Sequence, residues 1–194
     1  MIYLVRHGQT AFNAEHRLQG RLDSPLTALG IAQAGKIGAK LAEFQPDAKD
    51  WPIEASPQGR AVATAEIIGA TLGASRPIRT DARLREVSMG SWDGLTRDEI
   101  NAGWPGAYEK SARIAWFRHC PDGETFDAAM ARVADWLGSI PDDNPRIVVS
   151  HGVTGSLIRG CYAKLSPMEM LTLPTPQDAF FILADGRIES VQAA

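Results

Sequence analysis

Two short apolar runs end in the same way, and this pairing constrains the chain more than any other feature. Residues 4–10 read LVRHGQT and residues 148–154 read VVSHGVT, in each case apolar residues, a polar one, His-Gly, one further residue and Thr. An apolar run this brief, cut off at once by charge and glycine, suits a buried strand better than a helix. Each strand would therefore deliver a histidine at its end, with Gly8 or Gly152 letting the backbone turn sharply.

The segments between repeat the order strand, turn, helix. From Thr27, a plausible N-cap, Ile31, Ala34, Gly38, Leu41 and Ala42 recur at helical steps. Residues 51–56 read as a second strand, and Pro57 opens a helix in which Ala61, Ala65, Ile68 and Leu72 share one face. Phe126, Met130, Val133, Leu137 and Ile140 mark a helix over 125–140, followed by a strand at 146–150 and a helix at 154–165. Strands at 179–184 and 187–191 flank Asp185-Gly186, a hairpin signal because the tight turn needs positive φ at both positions. The pattern predicts the α/β class, a three-layer α/β/α sandwich around a mostly parallel mixed sheet. Gly90, Gly94, Gly103, Pro105, Gly106, Pro121 and Gly123 punctuate an aromatic-rich stretch that reads as an inserted cap over about 87–125. With 194 residues and 44% hydrophobic content, one domain over 1–194 is expected.

Charge narrows the partners. The 20 basic and 23 acidic residues are spread along the chain and leave a net charge of -3, without the basic stripe that nucleic-acid binding needs. No basic leader precedes an apolar stretch, and nowhere do about 18 apolar residues run together as a membrane span requires. A cytoplasmic protein is the expectation, with no nucleic-acid or membrane partner. Cys120 and Cys161 lie far apart without a C-x-x-C neighbour and read as reduced, partly buried thiols.

In an open α/β sheet, ligands bind beyond the carboxyl ends of the strands. Parallel strands would put His7 and His151 on one rim, and Arg60 lies in the first turn after the strand at 51–56. Arg6 and Arg60 converging with two histidines describe a pocket for a compact anion, since guanidinium presents a fork of donors that matches phosphate oxygens. Two histidines with a carboxylate such as Glu86 are also a zinc-ligand set, against which the arginine charges weigh.

These residues carry a resemblance to a known family. LVRHGQTAFN at 4–13 resembles the signature of the histidine phosphatase superfamily, in its phosphoglycerate mutase-like branch. The likeness continues through LQGRLDSPLTALGIAQA at 18–34, SPQGRAVATA at 56–65, LREVSMGSWDGLT at 84–96, PDGETF at 121–126 and VSHGVTGSLI at 149–158. The resemblance implies that His7 accepts the phosphoryl group, Arg6 and Arg60 clamp its oxygens, and His151 completes the pocket. It further implies that Asn13 donates to phosphate, that Gln19, Gly20 and Gly152 contact substrate, and that Glu86 is the proton donor. No metal and no cofactor are required. The partner implied is a small phosphorylated metabolite, handled by a monomer or homodimer.

The chain departs from the family pattern in places. Gln58 and Ala63 stand where many relatives carry leucine and glutamine, a change expected to affect helix packing. Glu86 leads into VSMGSWDG, which resembles the phosphatases, including broad-specificity and α-ribazole phosphatases, more than the mutases. A metal-independent phosphatase acting on small monoesters is the leading expectation. A cofactor-dependent phosphoglycerate mutase and a non-catalytic phospho-ligand binding domain are the alternatives. Trp92, Trp104, Tyr108, Trp116 and Phe117 lie in the cap, either lining the substrate side or packing the cap onto the body. His16 and His119 match no catalytic position.

Overall fold

The computed structural model describes residues 1–110, 119–141 and 144–193. β1 (Ile2–Arg6), β2 (Ile53–Ala55), β3 (Arg79–Thr80), β4 (Arg146–Ser150), β5 (Ala179–Ala184) and β6 (Arg187–Gln192) form one sheet in the order β3-β2-β4-β1-β5-β6. β1 to β4 run parallel, β5 is antiparallel to β1, and β6 is antiparallel to β5.

Alternation along the strands separates two cores. Leu4, Val148 and Phe181 enter one, which is closed by α6 (Phe126–Ser139), α7 (Gly152–Ala163), α8 (Pro167–Thr172) and residues of 84–108. Val5, Val149 and Phe180 enter the other, closed by α2 (Ala28–Phe44) and α3 (Gly59–Leu72). The expected three layers with a mostly parallel mixed sheet are therefore present. Shorter helices α1 (Ala11–Ala14), α4 (Arg97–Gly103) and α5 (Ala107–Lys110), with 3-10 turns at Pro46–Asp50, Ala82–Leu84 and Gly90–Trp92, complete the described elements. Among the described residues no helix is long and apolar enough to cross a membrane.

Several boundaries and faces differ from expectation. Thr27 caps α2 by accepting from the Gly30 N–H, but Ile31 is 51% exposed and the buried face is Gly30, Ala34, Ile37, Gly38 and Leu41. Gly30 takes the inward position because the Gln9 backbone abuts it, and a Cβ there would meet Gln9 O at 2.0 Å. α3 begins at Gly59, two residues after Pro57, with Gln58 as N-cap; α7 begins at Gly152 with His151 as N-cap. Gly8 and Gly152 are not among the positive-φ residues, so neither supplies an unusual turn. Gly8 is needed instead for close approach, since a Cβ would lie 2.3 Å from Gly30 O. The expected turn at Asp185-Gly186 holds, with φ of 49° and 71°.

Candidate active site

β1, β2 and β4 end level with one another, Arg6 opposite Ser150 and Ala55 opposite Val149. The ladder runs on for one more rung on each side, from His7 N–H to Ser150 O at 3.0 Å and from Ser56 N–H to Val149 O at 2.9 Å. Three chain segments thus leave the sheet at one rim. Arg6, His7, Asn13, Gln19, Gly20, Arg60, Glu86 and Gly152 line a single cavity there of about 280 Å³. His151 lies behind it, its ring centroid 5.2 Å from that of His7. Larger hollows of about 750 and 820 Å³ open at the opposite ends of the strands, around Trp51, Pro141 and Arg146, and hold none of these groups.

His7 is 2% exposed and its tautomer follows from its surroundings. Nδ1 lies 2.8 Å from the Gly8 carbonyl, which can only accept, so Nδ1 carries the proton and Nε2 presents a lone pair. That lone pair faces Arg60 Nε–H at 3.3 Å. Burial, then the charges of Arg6 and Arg60, hold the His7 pKa well below 6.5, so the ring is neutral near pH 7. His151 is held down in the same direction by burial first, then by the repulsion a protonated His7 would exert, and by the charges of Arg60, Arg6 and Arg132. Among the described residues neither ring nitrogen of His151 has a hydrogen-bond partner, although the residue is only 1% exposed. Leaving such atoms unpaired is costly, and an oxygen entering the cavity would relieve it.

Both guanidinium groups lose solvent in the pocket, and Arg60 is already paired with Asp23 at 3.1 Å. Burial lowers the pKa of both, and for Arg6 the charge of Arg60 adds to the effect, while Glu86 acts in the opposite direction. Arg60 donates to His7 Nε2, Leu22 O, Asp23 Oδ1 and Gly20 O, four of its five N–H groups. Arg6 Nη1 donates to Thr175, and Arg6 Nε has no partner among the described residues. A compact anion would answer both guanidinium groups.

Glu86 meets the first turn of α7. Its Oε1 accepts from the N–H groups of Val87 and Thr154, whereas Oε2 accepts from Val153 N–H; the Thr154 hydroxyl gives its one proton to Arg85 O at 2.7 Å. Oε1 is thereby filled, and Oε2 keeps a lone pair toward the cavity. A Cβ on Gly152 would sit 3.7 Å from Glu86 Oε2 and 3.6 Å from Arg6 Nε, ordinary contact distances, so space alone does not demand glycine there.

The remaining expected contacts are held by side-chain bonds. Asn13 Oδ1 accepts from Thr10 N–H at 3.2 Å and Gln177 Nε2 at 3.0 Å, which leaves its amide NH₂ as a donor. Gln19 Oε1 accepts from the Ser24 hydroxyl. Gly20 has φ +48°, and a side chain there would strike the Asp93 carboxylate.

Sequence reasoning missed several supports. Gln177 Nε2 donates to His7 O, and Thr64 Oγ1 accepts from Gly8 N–H at 3.0 Å while donating to Arg60 O at 2.8 Å. Thr64 was recoverable, standing four residues after Arg60 on the otherwise apolar face of Ala61 and Ala65. The Gln58 amide bridges Gly20 O and Glu86 N–H. Of the aromatics in the stretch expected to form a cap, Trp92 is fully buried in the core with Trp104 edge-on at 6.1 Å, and neither they nor Tyr108 line the cavity. Its apolar wall is Leu18, Met89, Val153, Leu171 and Leu173. Trp116 and Phe117 lie outside the described residues. Among those residues no three His, Cys, Asp or Glu side chains converge as a metal site would need.

Comparison with known proteins follows the same lines. A family model for the histidine phosphatase superfamily (branch 1) matches residues 2–184. A glucosyl-3-phosphoglycerate phosphatase of Mycolicibacterium vanbaalenii is 36% identical over 166 residues, spanning 78% of this chain and 68% of that protein. A probable phosphoglycerate mutase, GpmB, of Salmonella arizonae is 38% identical over 160 residues, spanning 78% and 69%. Among solved structures, YhfR of Bacillus stearothermophilus superposes with a TM-score of 0.82 at 29% identity, covering 98% of this chain and 95% of that one. A mycobacterial glucosyl-3-phosphoglycerate phosphatase in complex with VO3 gives 0.76 at 30% identity, covering 93% and 90%. The matched span takes in both His-Gly turns with Arg60 and Glu86 between them, and the chain belongs to branch 1 of the histidine phosphatase superfamily.

Proposed function

We propose that the chain hydrolyses small phosphate monoesters without a metal, by way of a phosphohistidine on His7. The observation that carries this reading is the Nδ1 bond of His7 to Gly8 O, which leaves Nε2 unprotonated in the cavity that Arg6 and Arg60 also line. The phosphoryl group displaces the long contact between Arg60 Nε and His7. The Nε2 lone pair forms the N–P bond as the ester P–O bond breaks, and a proton on Glu86 Oε2 passes to the departing oxygen. Water then attacks phosphorus, giving its proton to the same carboxylate, and the N–P electron pair returns to Nε2 with release of inorganic phosphate. Arg6, Arg60 and His151 face the charge on the transferring oxygens, where fixed donors matter most for phosphoryl transfer. Glu86 as acid and then base contributes about 10²- to 10⁴-fold.

The names of the relatives point to phosphorylated metabolites of the phosphoglycerate kind, and one of them supports a second reading as a mutase. A panel of sugar phosphates, phosphoglycerates, nucleotides and α-ribazole phosphate separates the two. Release of inorganic phosphate, insensitive to chelator and abolished in His7→Ala, is the expected result. Interconversion of 2- and 3-phosphoglycerate outpacing hydrolysis, with dependence on a bisphosphoglycerate primer, would establish the mutase. Tight phosphate-ester binding with no turnover anywhere would overturn both, and loss of activity on chelation would overturn metal independence.

A further inference from the structure

Gln58 stands at the N-cap of α3, yet its side chain makes no bond to that helix and is turned inward, 8% exposed. Its Oε1 accepts from the Glu86 N–H at 2.7 Å, and its Nε2 donates to Gly20 O at 3.0 Å. One planar amide therefore joins the helix that carries Arg60, the loop at Gly20 and the residue that carries the cavity's carboxyl group. Gln58 does not line the cavity, so whatever it does there is done through its neighbours.

We propose that Gln58, anchored on Gly20 O, is a positioning residue that sets Glu86 for proton transfer to the leaving oxygen. The proposal rests on the phosphatase reading above. Glu86 is gripped along its length. Its N–H is held by Gln58, its C=O by Arg21 Nε at 2.8 Å, and its carboxyl oxygens by the first turn of α7. Of these grips Gln58 is the one that both donates and accepts with a single side chain, and a leucine at 58 could do neither. Gly20 O keeps its bond from Arg60 Nη2 at 3.0 Å, so loss of the amide falls mainly on Glu86. Proton transfer tolerates little displacement, and a shift of about 1 Å is enough for about 100-fold.

The experiment is a leaving-group series. Alkyl phosphates need a proton on the departing oxygen, whereas 2,4-dinitrophenyl phosphate does not. Wild type, Gln58→Leu, Glu86→Gln and the double variant are compared for kcat/KM across the series, which reports the steps up to release of the alcohol and so leaves out the later water step. Gln58→Leu is expected to lower kcat/KM about 10- to 100-fold on alkyl phosphates and less than about 3-fold on the dinitrophenyl ester. It should add no further loss to Glu86→Gln. If leucine prevents folding, Gln58→Met, of similar length, carries the same expectation. A loss equal across all leaving groups, or one that adds in full to Glu86→Gln, overturns the role of Gln58 while leaving the phosphatase reading intact. If Glu86→Gln itself shows no leaving-group dependence, the acid assignment under "Proposed function" fails and the role of Gln58 falls with it.

Discussion

Gly20→Ala tests how tightly the loop at Gly20 is fixed. Gly20 has φ +48°, and a Cβ there would lie 1.6 Å from Asp93 Oδ1, 2.4 Å from its Cγ and 2.9 Å from Oδ2. The carboxylate cannot swing aside freely, because Oδ1 accepts from Met89 N–H at 2.9 Å and Oδ2 from Arg21 N–H at 3.0 Å. Expelling it breaks two bonds to a charged acceptor, about 1.5 kcal/mol each at the low end. Left-handed backbone for alanine adds about 1 kcal/mol, for a total of about 4 kcal/mol, a large part of the stability of a domain this size. Moving the loop instead would strip Gly20 O of its bonds from Arg60 and Gln58, which is no cheaper. Asp93→Ala removes the obstruction, so Gly20→Ala in that background should cost only the backbone strain of about 1 kcal/mol. The coupling of about 3 kcal/mol is read from urea unfolding midpoints in a double-mutant cycle, with m-values compared to confirm a common transition. Additive costs, with no coupling between the two positions, would refute the close approach.

Two further perturbations read the pocket itself. His7 and His151 are held well below 6.5 by burial and then by neighbouring positive charge, so the unfolded chain takes up protons first as pH falls. Stability should be full above about pH 6.5 and decline below it by up to about 1.4 kcal/mol per pH unit for each histidine, checked by urea unfolding in phosphate-free buffer. His151→Phe should remove a share of that slope, and a flat profile between pH 7.5 and 5.5 would contradict the burial of neutral rings. Arg60→Lys replaces a fork that reaches His7, Gly20, Leu22 and Asp23 with a point charge. Inorganic phosphate should bind about 10- to 100-fold more weakly by calorimetry, from the loss of about 1.4 to 2.8 kcal/mol of charge-assisted bonding. Unchanged affinity would remove Arg60 from the clamp.

Much of the fold was legible because the elements that carry it are strongly patterned. β1 and β4 are apolar on both faces and stop at Arg-His-Gly and Ser-His-Gly, and α6 repeats Phe126, Met130, Val133 and Leu137 at helical steps along its buried side. β3 was not legible, since two exposed residues, Arg79 and Thr80, carry no periodicity. α8 was missed although Ser166 and Glu169 form a capping box and Pro167 occupies the first turn, a signal present in the sequence itself. The chemical groups of the pocket were readable because two parallel strands must deliver His7 and His151 to one rim. Their supports were not. Gln177 lies 170 positions from His7, and Thr175 lies 169 from Arg6, so local pattern says nothing of these contacts. Gln58 was seen as an unusual residue, but only the bond to Glu86 explains what an amide does there.

Trapping of the covalent intermediate tests phosphoryl transfer to His7 most directly. The protein is mixed with a ³²P-labelled phosphate ester it turns over, quenched in denaturant, digested and mapped. Label that is acid-labile, stable to alkali, confined to the peptide containing His7 and absent from His7→Ala is the expected result. Label on another residue, or undiminished turnover in His7→Ala, would contradict it.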